Sequence, residues 1–177
     1  STASLNALTT SGVNINCNHY GGNAYTSSGS NMATAPYNTV TLGAKARLAA
    51  TIEIHGGDIW GTTGSDAFTG NTLNIAGTHT IAEVRNFQTF NFTLPGNYTP
   101  GDAILTASTI NLGNGAIGSN IGSINITGGG TPLPANQTVT LLSGTISGSL
   151  HPTATTASGM KGMSLIYEWY SIGINGN

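Results

Sequence analysis

The side chains most able to do chemistry lie in the first half of the chain. His19 and His55 each precede a Gly-Gly pair, and Asp58 follows the second pair. Imidazole and carboxylate groups are common metal ligands, so a repeat that stacked the two histidines on one face would allow a metal site. However, the sequence has no HxH, HExxH or CxxC pattern. We therefore interpret these histidines as ladder or surface residues, and we expect neither a metal nor a cofactor.

Three acidic residues, Glu53, Asp58 and Asp66, are close together in the sequence. Paired carboxylates can carry out glycosidase or lyase chemistry when a fold holds them at a fixed separation. An anionic polysaccharide would also need cations near the site, and Lys45 and Arg47 are the only ones close by in sequence. We interpret the three acids as a solvated face and expect no catalytic residue. A polysaccharide-acting or carbohydrate-binding protein is the alternative.

Two short stretches match enzyme signatures without the context that those signatures need. Residues 113–118 fit GxGxxG, but SNIGSINIT continues as strand where a dinucleotide site requires a helix. Residues 158–161 fit the SxxK pattern of penicillin-recognising hydrolases, yet the SDN and KTG elements are missing. We expect a surface turn there, and neither motif predicts an enzyme.

Four aromatic residues are the candidate ligand-binding positions. Exposed aromatic rings are frequent anchors for sugars and for protein partners, although such rings could equally cover the ends of a core. The four lie around segments whose length varies between repeats, and they are Tyr20, Tyr25, Tyr37 and Trp60.

The composition excludes several classes of protein. Charged residues are 6% of the chain and the net charge is −2, so no basic surface is available for nucleic acid. No apolar run reaches the roughly 18 residues that a membrane helix needs, and we expect a chain that does not itself span a membrane. Asn, Thr, Ser and Gly supply the polar surface instead, which is typical of extended β-structures.

An internal repeat positions these residues. HYGG, which begins at His19, is followed by NTVTL at Asn38, and IHGG, which begins at Ile54, is followed by NTLNI at Asn71. The Gly-Gly pairs are 35 residues apart and the Asn-Thr pairs are 33 apart. A fixed scaffold with loops of variable length produces such offsets.

Short runs with period-two alternation predict many half-buried strands separated by Gly, Asn, Ser and Pro clusters. Hairpin connectors of the Asn-Gly type do not lie between clean alternating runs. We therefore favour an all-β, right-handed parallel β-helix (β-solenoid), with like residues stacked in register, over an antiparallel sandwich. The predicted strands are Val13/Ile15/Cys17, Val40/Leu42, Ile52/Ile54, Leu73/Ile75, Phe90/Phe92/Leu94, Ile110/Leu112, Ile124/Ile126 and Val139/Leu141. The single cysteine, Cys17, is expected to be buried as a small apolar residue.

A solenoid needs an end cap that differs from its repeats. Aromatic residues increase towards the C-terminus, and from about Ile81 onward we expect a more antiparallel terminus. We predict one continuous folded unit, with repeat rungs over residues 1–80 and terminal rungs with a cap over residues 81–177. Aromatic residues that mark this second part are Phe87, Phe90, Phe92, Tyr167, Trp169 and Tyr170.

Several stretches resemble the C-terminal passenger region of bacterial autotransporters. They are TGNTLNIAG at residues 69–77, VRNFQTFNFTLP at 84–95, GDAILTAS at 101–108, GGGTPLPANQTVTLLS at 128–143 and KGMSLIYEW at 161–169. The order of these parts carries the resemblance, which spans roughly residues 38–177.

The resemblance implies a β-helical stalk whose last rungs act as an autochaperone that seeds folding during export through the outer membrane. The expected partner is a C-terminal outer-membrane β-barrel of the same protein, and this chain is expected to be an excised passenger fragment. The expected location is the bacterial cell surface or the medium. The expected function is non-enzymatic surface display, with adhesion to a host protein or glycan as a further role.

Overall fold

The structure is a computed structural model. It describes residues 7–10, 14–25, 33–60, 64–95, 98, 101–113, 118–126, 138–151, 156–161 and 164–169. Within these ranges all regular secondary structure is β-strand, and no helix occurs. The all-β prediction is therefore confirmed for the described part of the chain.

Sixteen strands are described, most of them short. In chain order they are β1 Ala7–Thr10, β2 Asn14–Ile15, β3 His19–Tyr25, β4 Ala33–Thr34, β5 Thr39–Leu42, β6 Arg47–Leu48, β7 Glu53–Trp60, β8 Gly64–Asp66, β9 Thr72–Ala76, β10 His79–Arg85, β11 Thr89–Leu94, β12 Ala103–Asn111, β13 Asn120–Ile126, β14 Thr140–Ser147, β15 Thr156–Lys161 and β16 Ser164–Trp169.

The strands form two principal sheets, between which the chain alternates. Sheet 1 has the order β1-β5-β9-β11-β13-β15-β16, and sheet 2 has the order β14-β12-β10-β7-β3. Two smaller sheets pair β2 with β6 and β4 with β8. Each return of the chain to a sheet adds a strand parallel to the preceding one, and we refer to one such circuit as a rung. Stacked parallel sheets of this kind are compatible with the predicted β-solenoid.

The two Asn-Thr repeats stack in register, as the sequence predicts. Thr39 pairs with Thr72 and Val40 pairs with Leu73 on the adjacent strands β5 and β9. Period-two alternation then separates the faces of the sheet, because Val40 and Leu73 are fully buried whereas the threonines are half-buried.

Aliphatic and aromatic columns between the two sheets form the core. Leu73 is in register with Phe90, and Phe90 is in register with Ile121, so one apolar column crosses sheet 1. Phe90 stacks on Phe92 with ring centroids 6.4 Å apart, and it meets Phe87 edge-on at 6.0 Å. Burial of each large apolar side chain stabilises the fold by about 1.5–3 kcal/mol, so these columns hold the sheets together.

Antiparallel pairing is confined to the last strand pair in the described ranges. Strands β15 and β16 are antiparallel, with Gly159 opposite Ile166, so the chain does end differently from its repeats. The expected change from Ile81 onward is wrong in extent, because β10 to β14 all pair in parallel. Parallel pairing continues there because the apolar columns continue through those strands.

Two further expectations are wrong, and some of the residues named in the predictions lie outside the described part of the chain. Cys17 is exposed, because the alternation stops after Ile15 and β2 is only two residues long. Residues 158–161 lie in strand β15, so the expected surface turn is wrong. Val13, Tyr170 and the side chains of Tyr167 and Trp169 lie outside the described part of the chain.

Candidate functional site

A cluster of charged side chains lies on the outer face of sheet 2. Ile54 on β7 and Val84 on β10 are register partners, and both are completely buried in the core. Side chains alternate between the two faces of a strand, so the residues on either side of them point away from the core. Those residues, together with Asp58, form what we call the His55 cluster: Glu53, His55, Asp58, Glu83 and Arg85.

The parallel register brings the members of this cluster together. Glu53 is opposite Glu83, and His55 is opposite Arg85, on adjacent strands. Arg85 Nε donates a hydrogen bond to His55 Nδ1 at 3.2 Å, although 30 residues separate the two. Arg85 also lies 3.5 Å from Glu83 and 3.6 Å from Asp58, measured between nitrogen and carboxylate oxygen. One guanidinium therefore contacts two carboxylates and one imidazole.

The imidazole of His55 is at the centre of the cluster. His55 Nε2 lies 3.4 Å from Glu53 Oε2 and 4.0 Å from Glu83 Oε1, and Nδ1 lies 3.8 Å from Asp58 Oδ2. The side chain has no exposed surface, and within the described part of the chain its Nε2 atom makes no hydrogen bond. Tyr20 covers the ring edge-on, with centroids 4.9 Å apart.

Burial controls the protonation of this histidine. Desolvation lowers the pKa of His55 below its ordinary value, Arg85 lowers it further, and Asp58 and Glu53 oppose the shift. The ring is therefore neutral near pH 7, and because Nδ1 accepts from Arg85, its proton is on Nε2. Such a group between carboxylates is suited to proton transfer or to cation binding.

The Gly-Gly pair after His55 allows the neighbouring strand to approach closely. A Cβ atom on Gly56 would collide with the carbonyl oxygen of Asn86, and Asn86 Nδ2 donates to Gly57 O at 2.8 Å. Strict alternation would place Asp58 on the face opposite His55. The contact between Asp58 and His55 shows that the alternation is interrupted at the two glycines. The Asp58 carboxylate therefore lies on the same face of the strand as His55.

The two histidines that the repeat suggested as a stacked pair are separated. His19 pairs with Ile54, while Tyr20 pairs with His55, so the expected alignment is one residue out of register. His19 Nε2 instead lies 4.0 Å from Cys17 Sγ. His19 therefore does not stack on His55, because a shift of one residue on a strand places a side chain on the opposite face.

Of the four candidate aromatic residues, Tyr20 and Tyr37 have side chains that the structure describes, and these two lie in different surroundings. Tyr20 belongs to the cover of the His55 cluster, and Tyr37 is 54% exposed at a turn with a positive φ of 59°. The ring of Tyr37 packs over Gly70, where a Cβ atom would collide with it. Tyr25 and Trp60 are register partners on β3 and β7, and their side chains lie outside the described part of the structure. Their role in ligand binding stays a prediction.

The third sequence-predicted acid, Asp66, has a local structural role. Its Oδ1 accepts hydrogen bonds from the backbone N–H groups of Phe68 and Thr69 at 3.0 and 2.8 Å. Burial raises the pKa of Asp66, but these hydrogen bonds outweigh that effect and the net pKa is lowered. Asp66 therefore closes a turn after β8 and is not a member of the His55 cluster.

Sequence reasoning missed Glu83 and Arg85, which complete the cluster. The signal was present, because EIHG at Glu53 has an echo in EVRN at Glu83. Both stretches place an acid, a core aliphatic residue and then a basic side chain in the same order. Aligning them gives the observed register of β7 with β10.

Comparisons with protein-family models, with curated proteins and with solved structures find no match to this chain. The search for membrane-spanning helices finds none in the part of the chain that the structure describes.

Proposed function

We propose that this chain is a non-catalytic, right-handed parallel β-solenoid that supports surface display, the stalk of a bacterial autotransporter passenger. Its expected partner is a C-terminal outer-membrane β-barrel, and its expected place is the cell surface or the medium. Adhesion to a host protein or glycan is part of the same proposal.

The observation that carries this proposal is the uninterrupted parallel stacking from β1 to β15, ended by one antiparallel strand. Connections between parallel strands of one sheet are right-handed in about 98% of known cases, which supports the handedness. A stack of this kind grows by adding one rung to an existing edge. The polypeptide could therefore fold progressively as it emerges from a pore.

Neutral hydrogen-bonded ladders on the sheet surface support a structural role. Asn74 Nδ2 donates to Thr41 Oγ1 at 3.1 Å, Asn91 Nδ2 donates to Asn74 Oδ1 at 2.9 Å, and Ser123 Oγ donates to Asn91 Oδ1 at 3.0 Å. This ladder crosses four neighbouring strands of sheet 1. It fixes the stacking without charged groups, as expected for a long exposed scaffold.

The antiparallel pair β15–β16 is the natural candidate for the folding template. Parallel pairing is slow to nucleate because its contacts are distant in sequence, whereas the β15–β16 pair is local and can form early. The parallel contact of β13 with β15 then offers an edge on which the preceding rung can assemble.

A display experiment tests the proposal. The chain is fused between an N-terminal epitope and an outer-membrane β-barrel, and protease added to intact cells reports the surface-exposed epitope. We expect efficient display, and at least a severalfold decrease when residues 164–169 are replaced by a Gly/Ser linker of equal length. The matched control is Asp102→Asn, an exposed position. Failure of the native fusion to reach the surface, or unchanged display with the linker, would contradict the proposal.

The His55 cluster favours a second candidate, a β-helix that acts on polysaccharide. Its carboxylates, neutral imidazole and guanidinium are the groups that such chemistry requires. A screen for release of reducing or unsaturated sugar ends tests this candidate. Turnover that is lost in Glu53→Gln and retained in Asp102→Asn would support it, and an inactive native chain would exclude it for the polysaccharides tested.

A further inference from the structure

The His55 cluster has an excess of negative charge around an unsatisfied buried atom. Glu53, Asp58 and Glu83 carry three carboxylates, and Arg85 supplies a guanidinium in contact with two of them. The imidazole between them is fully buried, and its Nε2 atom has no hydrogen bond to any residue that the structure describes. A buried polar atom without a partner costs about 1–3 kcal/mol, so this arrangement requires an explanation.

We propose that Glu53, His55 and Glu83 bind a divalent transition-metal ion, with His55 Nε2 and one oxygen of each glutamate as ligands. The ligand atoms of the three side chains all lie within 4.8 Å of one another. A nitrogen ligand with two carboxylate oxygens suits Zn²⁺ or Mn²⁺, whereas Ca²⁺ and Mg²⁺ prefer oxygen ligands alone. This proposal is independent of the proposed role in surface display.

The geometry is close to what a small cation needs. Ligands about 2.0–2.1 Å from a zinc ion at tetrahedral angles are about 3.4 Å apart. His55 Nε2 lies 3.4 Å from Glu53 Oε2 and 4.0 Å from Glu83 Oε1. Glu83 Oε1 therefore needs to come about 0.6 Å closer to His55 Nε2 to reach that separation from it, and the partial exposure of the Glu83 side chain allows that movement.

Asp58 and Arg85 set the protonation of the ligand. When Nδ1 accepts the hydrogen bond from Arg85, the neutral ring carries its proton on Nε2. Metal binding requires that Nε2 release this proton to solvent and that Nδ1 take one up from solvent, which leaves the ring neutral. Asp58 Oδ2, 3.8 Å from Nδ1, is placed to accept the new hydrogen bond. Arg85 then keeps its contact with Asp58 Oδ1.

The position of the site gives it a structural effect. Glu53 and Glu83 are opposite each other on β7 and β10, so two like charges directly face one another across the sheet. Such pairs are destabilising without a counter-charge. A cation between them would join two successive rungs and fix their register. Binding should therefore raise the unfolding temperature of the whole chain.

Isothermal titration of the complete, EDTA-treated chain with ZnCl₂ tests the proposal. We expect one saturable site per chain, and affinity at least about tenfold lower in Glu53→Gln and in Glu83→Gln. The matched control is His151→Ala, which removes an exposed imidazole and should retain wild-type affinity. The proposal is overturned if the native chain shows no saturable binding, or if His151→Ala loses as much affinity as the two glutamine variants.

Two further measurements keep the test decisive if a variant fails to fold. Nitrogen-15 NMR of the native chain should show the His55 Nε2 signal moving on addition of zinc while the signals of His151 stay unchanged. Arg85→Met should bind zinc more tightly than the native chain, because it frees Glu83 and His55 Nδ1 from a competing cation. An unmoved His55 signal, or weaker binding in Arg85→Met, contradicts the proposal.

Discussion

Asn38 and Asn71 are hydrogen-bonded to each other across two successive rungs, although 33 residues separate them in sequence. Both the backbone N–H and the side-chain Nδ2 of Asn38 donate to Asn71 Oδ1, at 2.8 and 3.1 Å. Both side chains are completely buried. A pair of buried amides thus connects the two Asn-Thr repeats that first revealed the organisation of the chain.

Asn71→Ala is expected to be strongly destabilising. The side chain accepts from Asn38 and donates to the carbonyl oxygens of Ala35, Ala67 and Asn86. Each buried group left without a partner costs about 1–3 kcal/mol, so we expect the free energy of unfolding to fall by at least about 3 kcal/mol. Urea unfolding followed by circular dichroism measures this loss.

The half-buried ladder position Asn74 provides the control for that experiment. Water can replace the partners of Asn74 at the sheet surface, so Asn74→Ala should cost under about 1 kcal/mol. Equal losses in the two variants would show that the buried amide pair has no special importance.

Phe90→Ala should also be severely destabilising, for a different reason. Phe90 is fully buried between Leu73 and Ile121 and contacts two other phenylalanine rings. Truncation of the ring leaves a cavity, and the parallel strands on both sides prevent that cavity from collapsing. Such truncations lower the free energy of unfolding by about 3–5 kcal/mol. Thermal unfolding measures the effect. Thr109→Ala, at an exposed position of β12, should change the unfolding temperature little; a comparable decrease there would contradict the assignment of the core.

The sequence predicted the faces of the strands better than it predicted their partners. Alternation alone identifies the buried residues Val40 and Leu42, since burial on one face requires period two. Partners depend on the length of each rung, and that length varies: 33 residues separate Thr41 from Asn74, but 17 separate Asn74 from Asn91. Loops set these lengths, and their composition does not encode them.

The same reason explains why only three of the five residues of the charged cluster were found. Glu53, His55 and Asp58 are close in sequence and were recognised as candidates. Glu83 and Arg85 approach them through a register offset of 30 residues, which differs from the offset of the Asn-Thr repeat. Burial of His55 arises from these cross-strand neighbours, so it could not be predicted from the local sequence.

Gly144→Ala is expected to distort the pairing of β12 with β14. Gly144 has a φ of 146°, and a Cβ atom there would collide with the backbone oxygen of Ala107 at the register shift between the two strands. We expect destabilisation above about 2 kcal/mol, since both strain and collision contribute. Gly101→Ala separates the two causes, because Gly101 also has a positive φ but has no atom within 4 Å of a Cβ. Equal losses in urea unfolding would exclude the collision.

His79 should make the protein less stable as the pH falls below 6.5. Burial lowers the pKa of His79 from its ordinary value of 6.5, and the hydrogen bond to Ala76 O opposes this effect only in part. The unfolded chain therefore takes up a proton at His79 first, so the stabilisation is complete above pH 6.5 and is lost as the pH falls towards the folded pKa.

Urea unfolding between pH 5 and pH 8 measures the contribution of His79 as the difference between the native chain and His79→Gln. The difference should shrink as the pH decreases. Thr109→Ala changes an exposed residue that does not ionise and should keep the native dependence. A His79→Gln variant with the same pH dependence as the native chain would refute this assignment.

The N-terminal rungs should depend on the C-terminal ones for folding. Cutting after Thr80 removes most of β10 and all of β11, so β7 and β9 each lose one of their two neighbouring strands, and Asn71 loses the carbonyl oxygen of Asn86. We expect the fragment 1–80 to unfold without a cooperative transition. The overlapping C-terminal fragment 33–177 retains β9 to β16 and the pairings among these strands. It should therefore unfold cooperatively in urea. If fragment 1–80 refolds cooperatively, folding does not proceed from a C-terminal template. The same conclusion follows if fragment 33–177 shows no cooperative transition.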